Sequence, residues 1–229
     1  MVKDNYHVLS LGGSLIVPKA GIDWKFLKKF RALIKEKIQA GQKFIIIAGG
    51  GTTCRNYQAA ANRVVKLQPV DVDWLGIHAS RLNAHLLRTI FFDLAHFEVV
   101  KDPTRKIKTN AKIIIGSGWK PGWSTDYDAV MLAKTYGAKE VANLSNIDYV
   151  YNKDPKIYKD AKKITKIAWP DFRKIVGDKW IPGLSKPFDP IASKLAAELG
   201  LKVIIMNGKK LKNLAKCLRG EKFQGTIIE

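Results

Sequence analysis

Glycine follows three short apolar runs of the sequence, and this pattern could bind an anion. Residues 12–14 are Gly-Gly-Ser after the run at 7–11, residues 49–51 are three glycines after the run at 44–48, and residues 116–118 are Gly-Ser-Gly after the run at 112–116. Glycine lets backbone amides approach an anion closely, and the N-terminus of a following helix adds partial positive charge. None of these turns matches G-x-x-x-x-G-K-[ST] or G-x-G-x-x-G, so neither a Walker-type loop nor a dinucleotide-binding turn is supported.

Other polar and aromatic residues near these turns could take part in the same chemistry. Arg55 comes one helical turn after the second glycine cluster, where phosphate binding competes with simple solvation. Asp189, directly before Pro190, is as consistent with a helix N-cap as with a functional carboxylate. Trp119 and Trp123 lie in a Gly/Pro-rich segment, which favours stacking on a ligand or a subunit contact over a place in the core. Neither the four histidines nor Cys54 and Cys217 have metal-ligand spacing.

The elements that must position these residues alternate between strands and helices. Strands are predicted at 7–11, 44–48, 112–116, 140–144, 202–206 and 225–228, and helices at 22–39, 53–66, 126–136, 190–199 and 210–218. Asp23 and Asp189 are predicted N-caps, and Gly41, Gly137 and Gly200 predicted stops. Alternation of this kind predicts an α/β fold, with a mainly parallel central sheet sandwiched by helices, as a single domain over 1–229.

The composition is that of a globular protein with an excess of positive charge. Forty Lys+Arg against 20 Asp+Glu give a net charge of +20 among 229 residues. The lysines are spread along the chain without an aromatic RNA-binding motif or zinc finger, so no dedicated nucleic-acid partner is expected. No apolar run reaches the roughly 20 residues that span a bilayer, and the N-terminus lacks a signal pattern. With only two cysteines, the protein is predicted to be soluble and cytoplasmic, with no membrane partner.

Taken in order, several segments resemble the amino-acid kinase superfamily, and within it the uridylate (UMP) kinases of the archaeal type. The similar segments are residues 12–14, 49–51 with Arg55, 73–76, 80–84, 124–126, 146–155, 205–208 and 220–228. The resemblance implies the amino-acid kinase-like fold and transfer of the γ-phosphoryl group of ATP to UMP, giving UDP and ADP, as a step of pyrimidine nucleotide biosynthesis. It also implies Mg²⁺ bound mainly through the nucleotide phosphates, and a homo-oligomer, specifically a hexamer.

The resemblance also assigns residues to each substrate. The ATP-binding set comprises Gly13, Ser14, Gly51, Arg55, Ser145, Asn146, Tyr151 and Asp154. The UMP-binding set comprises Gly50, Asp73, Gly118, Trp119, Lys120, Pro121, Gly122, Trp123, Ser124 and Thr125. Asp189 matches the family's aspartate before the late helix and is carried over as a catalytic residue.

Two departures from the family pattern leave alternatives open. Ser10 stands where many relatives have a lysine that neutralises the transferred phosphoryl group, so Lys120 and Lys186 are candidate catalytic replacements. Two tryptophans in the acceptor segment leave room for a different acceptor. A superfamily kinase with another small acceptor and a non-catalytic nucleotide-binding or storage protein on the same fold are therefore the alternatives.

Overall fold

Apolar strands and amphipathic helices alternate along the chain, and a computed structural model describes them over residues 6–155, 157–179 and 186–229. The predicted single domain over 1–229 includes residues outside these ranges. The elements, in chain order, are β1 (Tyr6–Leu11), α1 (Gly13–Ile16), α2 (Trp24–Gln39), β2 (Lys43–Ala48), α3 (Gly51–Val64), α4 (Pro69–Ile90), β3 (Ile113–Gly116), α5 (Thr125–Tyr136), β4 (Glu140–Ser145), β5 (Val150–Tyr151), β6 (Lys163–Ile164), β7 (Lys166–Ile167), α6 (Trp169–Val176), α7 (Pro190–Glu198), β8 (Lys202–Asn207), α8 (Leu211–Leu218) and β9 (Thr226–Ile228).

Seven of the strands form one sheet in the order β3-β2-β1-β4-β8-β9-β7. The first five strands in this order, from β3 through β2, β1 and β4 to β8, are parallel to one another. Strand β9 runs antiparallel to β8, and β7 is parallel to β9. Strands β5 and β6 form a separate antiparallel pair. The prediction of a mainly parallel sheet is therefore confirmed.

Apolar side chains cover both faces of this sheet. Along β1, Val8 points to the face packed by α5, α6 and α7, whereas Leu9 and Leu11 point to the face packed by α1, α2, α4 and α8. Successive strand residues alternate between faces, so a strand buried on both sides is apolar throughout. Each large apolar side chain that is fully buried contributes about 1.5–3 kcal/mol. The predicted sandwich of helices around the sheet is confirmed.

Helix ends follow the predicted caps. The Asp23 side chain accepts a hydrogen bond from the backbone N–H of Phe26 at the start of α2, and Ser124 accepts from Tyr127 at the start of α5. Gly41 and Gly137 follow their helices with φ of +88° and +72°, a conformation that residues with a Cβ rarely adopt.

Helix α4 is the main element that the sequence pattern did not predict. Its buried positions recur at helical spacing, at Ile77, Ser80, Ala84 and Leu87, but Ser80 interrupts the apolar stripe. Asn83, also buried, adds a second polar position to the same face. The short α1 and α6 and the two-residue strands β5, β6 and β7 were also not predicted, because segments of this length carry almost no periodicity.

The first two glycine clusters pack directly on each other. Because β1 and β2 are parallel neighbours in register from Tyr6 with Lys43 to Leu11 with Ala48, both strands end at one edge. A Cβ built on Gly13 would lie 2.0 Å from the backbone N of Gly51 and 2.6 Å from the carbonyl carbon of Gly49. Only a residue without a side chain allows this approach.

Replacing Gly13 with alanine should therefore destabilise the fold. The methyl group would meet backbone atoms that cannot rotate away, so we expect Gly13→Ala to lower the free energy of unfolding by about 3 kcal/mol or more. The matched control is Gly76→Ala in α4, whose Cβ would lie 3.5 Å from the sulfur of Cys54, an ordinary contact. Alanine there should add about 0.5–1 kcal/mol of stability. Urea denaturation measures both, and equal stability of the two variants would contradict the steric argument.

Candidate functional site

The carboxyl ends of four neighbouring strands define a continuous edge of the sheet. In spatial order, β3 leads into residues 118–125 (the acceptor loop), β2 into Gly49–Gly51, β1 into Gly12 and Gly13, and β4 into residues 145–155. Ligands of open parallel sheets bind beyond the carboxyl ends of the strands. Adjacent strands lie about 4.8 Å apart, so the outer two of the four are separated by roughly 14 Å.

A cavity of about 640 Å³ opens beyond β4. Its lining includes four residues that the sequence assigned to ATP and one candidate lysine, namely Ser145, Asn146, Tyr151, Asp154 and Lys186. The cavity adjoins the first glycine turn, because the backbone N of Gly12 donates to the carbonyl of Leu144, the residue before Ser145. These five predicted residues are therefore brought together.

The other four residues assigned to ATP lie at the glycine turns and do not line this cavity. Gly13 and Gly51 are in direct backbone contact, and Ser14 is half-buried in α1. Arg55 is exposed on α3, and its Nη2 donates to Oγ1 of Thr52 at 2.8 Å. Its guanidinium is thus held one turn from the glycine cluster, as the sequence spacing suggested.

Asn83 is a buried residue that sequence reasoning missed. Its Nδ2 donates to the carbonyls of Gly49 and Gly50, at 2.8 and 3.1 Å. Both carbonyls are therefore turned towards α4 and fixed there. Asn83 lies in a segment already noted for its family resemblance, but only the three-dimensional contact identifies its role.

The acceptor loop is tied to α4 at its middle. The backbone N–H of Gly122 donates to Oδ2 of Asp73 at 2.7 Å. The sequence assigned Asp73 and the loop to the same substrate, and the structure brings them together. Gly122 has a φ of +87° with no atom near its missing Cβ, so a tight turn requires glycine here.

Three aromatic rings of this region stack in sequence. The ring of Trp123 lies 6.3 Å from that of Trp119 and 4.1 Å from that of Tyr127, with interplanar angles of 25° and 29°. The exposed Lys120 places Nζ 4.1 Å from the Trp119 ring centroid, within cation–π range. The two candidate lysines therefore occupy opposite ends of the edge, because Lys186 borders the cavity beyond β4.

Asp126, at the start of α5, connects three elements behind the glycine turns. Its Oδ1 accepts hydrogen bonds from the hydroxyl of Ser10 at 3.0 Å and from Nδ2 of Asn143 at 2.8 Å, and its Oδ2 accepts from the backbone N–H of Asp189 at 3.3 Å. Burial, followed by the nearby charge of Asp189, raises the pKa of Asp126 to about 7. The position predicted to lack a lysine thus carries a hydroxyl bound to this carboxyl group.

Asp189 itself is confirmed as the N-cap of α7. Its side chain accepts from the backbone N–H groups of Ile191 and Ala192. Burial raises the pKa of this carboxyl group above its ordinary value. The capping role does not exclude a catalytic one, which stays a prediction.

The sequence model of the amino acid kinase family matches residues 5–207 of the chain. The chain belongs to the amino acid kinase family, and the parallel sheet with its glycine turns is the corresponding fold.

Among its relatives, the chain is similar to uridylate kinases of archaea. It is 34% identical over 203 residues to the uridylate kinase of Sulfurisphaera tokodaii, covering 87% of this chain and 89% of that one. It is 33% identical over 226 residues to that of Staphylothermus marinus, covering 98% of each. The crystal structure of uridylate kinase from Archaeoglobus fulgidus superposes with a TM-score of 0.81 at 28% identity, covering 98% of this chain and all of that one.

The raised pKa of Asp126 predicts a pH-dependent effect of its substitution. The folded protein holds this proton up to about pH 7, whereas the unfolded chain releases it near 3.8, so the contribution of Asp126 to stability falls as pH rises between these values. Asparagine keeps an acceptor for Ser10 and Asn143 but cannot ionise. We expect the stability of Asp126→Asn relative to the wild type to rise by about 2 kcal/mol from pH 5 to pH 7 and to level off above it.

Urea denaturation across pH 5–8 measures this difference. Asp102→Asn is the control, because a hydrogen bond from the Thr104 side chain lowers the pKa of Asp102. Its difference from the wild type should not rise with pH. A flat difference for Asp126→Asn would show that the carboxyl group is already ionised at pH 5.

Proposed function

We propose that the protein is a UMP kinase, which transfers the γ-phosphoryl group of ATP to UMP and gives UDP and ADP. The observation that carries this proposal is the order along the sheet edge: a cavity beyond β4, two contacting glycine turns, and the acceptor loop beyond β3. This order suits two ligands whose anionic groups meet at the glycine turns. The relatives named uridylate kinase supply the identity of the acceptor.

The reaction asks for positioning and charge neutralisation. An oxygen of the UMP phosphate forms a bond to the γ-phosphorus while the bond between that phosphorus and the β–γ bridging oxygen breaks, and ADP leaves. The attacking oxygen is already anionic, so no general base is required. The protein contributes by aligning the two nucleotides and by stabilising charge on the transferred group.

On the donor side, the cavity residues Ser145, Asn146, Tyr151 and Asp154 hold the adenosine part of ATP. The backbone at Gly13 and Gly51 approaches the phosphates, with Ser14 and Arg55 beside them. Because no side chain separates the two glycines, the backbone of both turns lies close together at the edge of the sheet.

On the acceptor side, Asp73 and the acceptor loop bind UMP, with Gly50 at the adjoining turn. The loop residues concerned are Gly118, Trp119, Lys120, Pro121, Gly122, Trp123, Ser124 and Thr125. The contact between Asp73 and the backbone of Gly122 supports their assignment to one ligand.

Mg²⁺, bound mainly through the nucleotide phosphates, would supply neutralisation of phosphate charge. Over the described residues, no group of three or more His, Cys, Asp or Glu side chains could hold a metal ion. In this proposal the ion is held mainly by nucleotide phosphates and water. The carboxyl groups of Asp126 and Asp189 each already accept hydrogen bonds from the protein.

The protein also self-associates in this proposal, as a hexamer. Helix α3 buries only Thr52 among its 14 residues. Its outer surface and that of α4 expose Tyr57, Val64 and Leu82, each more than 60% accessible. Exposed apolar side chains on these two helices are the feature that supports contact with a second copy of the chain. In the described part of the chain no helix has the length and apolarity to cross a bilayer. The proposal also includes location in the cytoplasm and a role in pyrimidine nucleotide synthesis.

An acceptor screen tests the proposed activity. ADP release, coupled to NADH oxidation, is measured with ATP and Mg²⁺ plus UMP, CMP, acetylglutamate, carbamate or isopentenyl phosphate. We expect turnover with UMP to exceed that with every other acceptor. Turnover with another compound alone would assign a different kinase of the family, and nucleotide binding by calorimetry without turnover would indicate a binding protein.

The two candidate lysines give a paired prediction. A cation close to the transferred group is worth about 2.7–4 kcal/mol at the transition state, so we expect Lys120→Met to lower kcat by roughly 10²-fold or more. Binding of UMP should weaken less than kcat falls. Lys186→Met is the comparison, and loss of kcat in that variant alone would assign the role to Lys186. Full activity of both variants would leave charge neutralisation to Mg²⁺ and backbone amides.

A further inference from the structure

The first two residues of the acceptor loop have all their backbone polar atoms held by neighbouring helices. The N–H of Gly118 donates to the hydroxyl oxygen of Ser80 at 2.9 Å, and its carbonyl accepts from Nε of Arg81 at 3.2 Å. The carbonyl of Trp119 accepts from Nη2 of Arg81 at 2.8 Å, and its N–H donates to Oδ2 of Asp128 at 3.2 Å. Side chains of α4 and α5 thus bind the backbone of these two residues.

Asp128 is an unusual partner for this contact. The residue is fully buried in α5, and its Oδ1 has no hydrogen-bond partner in the described part of the chain. Burial raises its pKa well above the ordinary value, with the charges of Asp126 and Asp189 adding to the effect and that of Arg81 opposing it. A buried carboxyl group is costly to keep, and it is not paired with a cation here. Among the described residues, the one hydrogen bond of its side chain is that from the N–H of Trp119 in the loop.

Arg81 also directs its hydrogen bonds to the backbone of the loop. Its guanidinium binds two backbone carbonyls rather than a carboxylate, and its Cζ lies 5.9 Å from the ring centroid of Trp74. Two donors in a fixed fork hold the two successive carbonyls in one relative orientation. Ser80 is fixed as well, because its hydroxyl donates to the carbonyl of Ile77.

The consequence is that Gly118 and Trp119 offer a ligand side chains rather than backbone groups. Since the backbone groups of Gly118 and Trp119 are occupied, the ring of Trp119 and the ammonium of Lys120 are what this segment presents. Their direction is set by a backbone that α4 and α5 hold. Any shift at Gly118 or Trp119 displaces both groups.

We propose that Arg81 and Asp128 are positioning residues that set the affinity of the site for its acceptor nucleotide, acting through the backbone of Gly118 and Trp119. This role rests on the proposed function, in which the acceptor loop binds UMP. Neither residue belongs to the set assigned to UMP, and the hydrogen bonds of both side chains described above are to the loop backbone.

Two variants break the contacts and one preserves them. Asp128→Leu keeps the volume but leaves the N–H of Trp119 unpaired, and Arg81→Met removes both donors to the loop carbonyls. Asp128→Asn retains an acceptor oxygen for the N–H of Trp119 and cannot ionise. We expect the first two to raise KM for UMP about tenfold, with KM for ATP within about twofold of the wild type, and Asp128→Asn to rescue KM for UMP.

Arg31→Met is the matched control, because Arg31 also binds a backbone carbonyl, that of Ile90, but lies on α2 with Asp93 as its ion-pair partner. A purely structural role would lower the fraction of active enzyme, which reduces kcat and leaves both KM values unchanged. That result, or an equal rise of both KM values, would overturn the proposal. If Asp128→Leu does not fold, Arg81→Met and Asp128→Asn still decide it.

Hydrogen–deuterium exchange separates this proposal from the proposed function. The amides of Gly118 and Trp119 should exchange at least about tenfold faster in Arg81→Met and Asp128→Leu than in the wild type or Asp128→Asn. If the wild type does not phosphorylate UMP, the proposed function fails, and faster exchange still supports positioning of the loop. Unchanged exchange at both amides overturns the positioning role whatever the activity.

Discussion

The contact between two glycine turns determines how the rest of the edge is arranged. Gly13 lies against Gly49 and Gly51 so closely that a single methyl group would collide with backbone. Because β1 and β2 are neighbours in register, this contact brings the ends of two strands to one point, and β3 and β4 extend the edge on either side. The cavity and the acceptor loop are therefore placed around a centre made of backbone alone.

Polar side chains behind this centre are paired with the backbone or with each other. Asn83 holds two glycine carbonyls, and Asp126 gathers Ser10, Asn143 and the backbone of Asp189. Burial keeps the Asp126 carboxyl group protonated up to about pH 7, which limits the negative charge near the turns. Such a setting favours anionic ligands, because an ionised buried carboxylate would repel them.

The sequence predicted the elements with strong local patterns. Apolar runs ending in glycine predicted the strands β1, β2 and β3, and the caps Asp23 and Asp189 predicted the starts of α2 and α7. Helix α4 was not predicted, because Ser80 and Asn83 interrupt the apolar pattern of its buried face. Both side chains form hydrogen bonds with loops that are distant in sequence.

The sequence predicted which residues belong to the candidate site, but it did not predict the contacts between them. Glycine turns and the resemblance predicted which residues belong to the two substrates, and the structure brings Asp73 to the loop. The grouping of the other assigned residues follows from topology. Arg81 binds residues that lie 37 and 38 positions further along the chain. Asp128 binds a residue nine positions before it. No local pattern in the sequence encodes pairings of this kind.

Helix α4 is a single helix of 22 residues, roughly 33 Å long, and it contacts two neighbouring segments of the edge. Asp73 and Arg81 bind the loop beyond β3, whereas Asn83 binds the glycine turn beyond β2. A translation or rotation of the helix would therefore move the loop and the turn together. A ligand that shifts the helix through the loop would change the affinity for a ligand at the turn, and by thermodynamic linkage the second ligand would change the affinity for the first by the same factor.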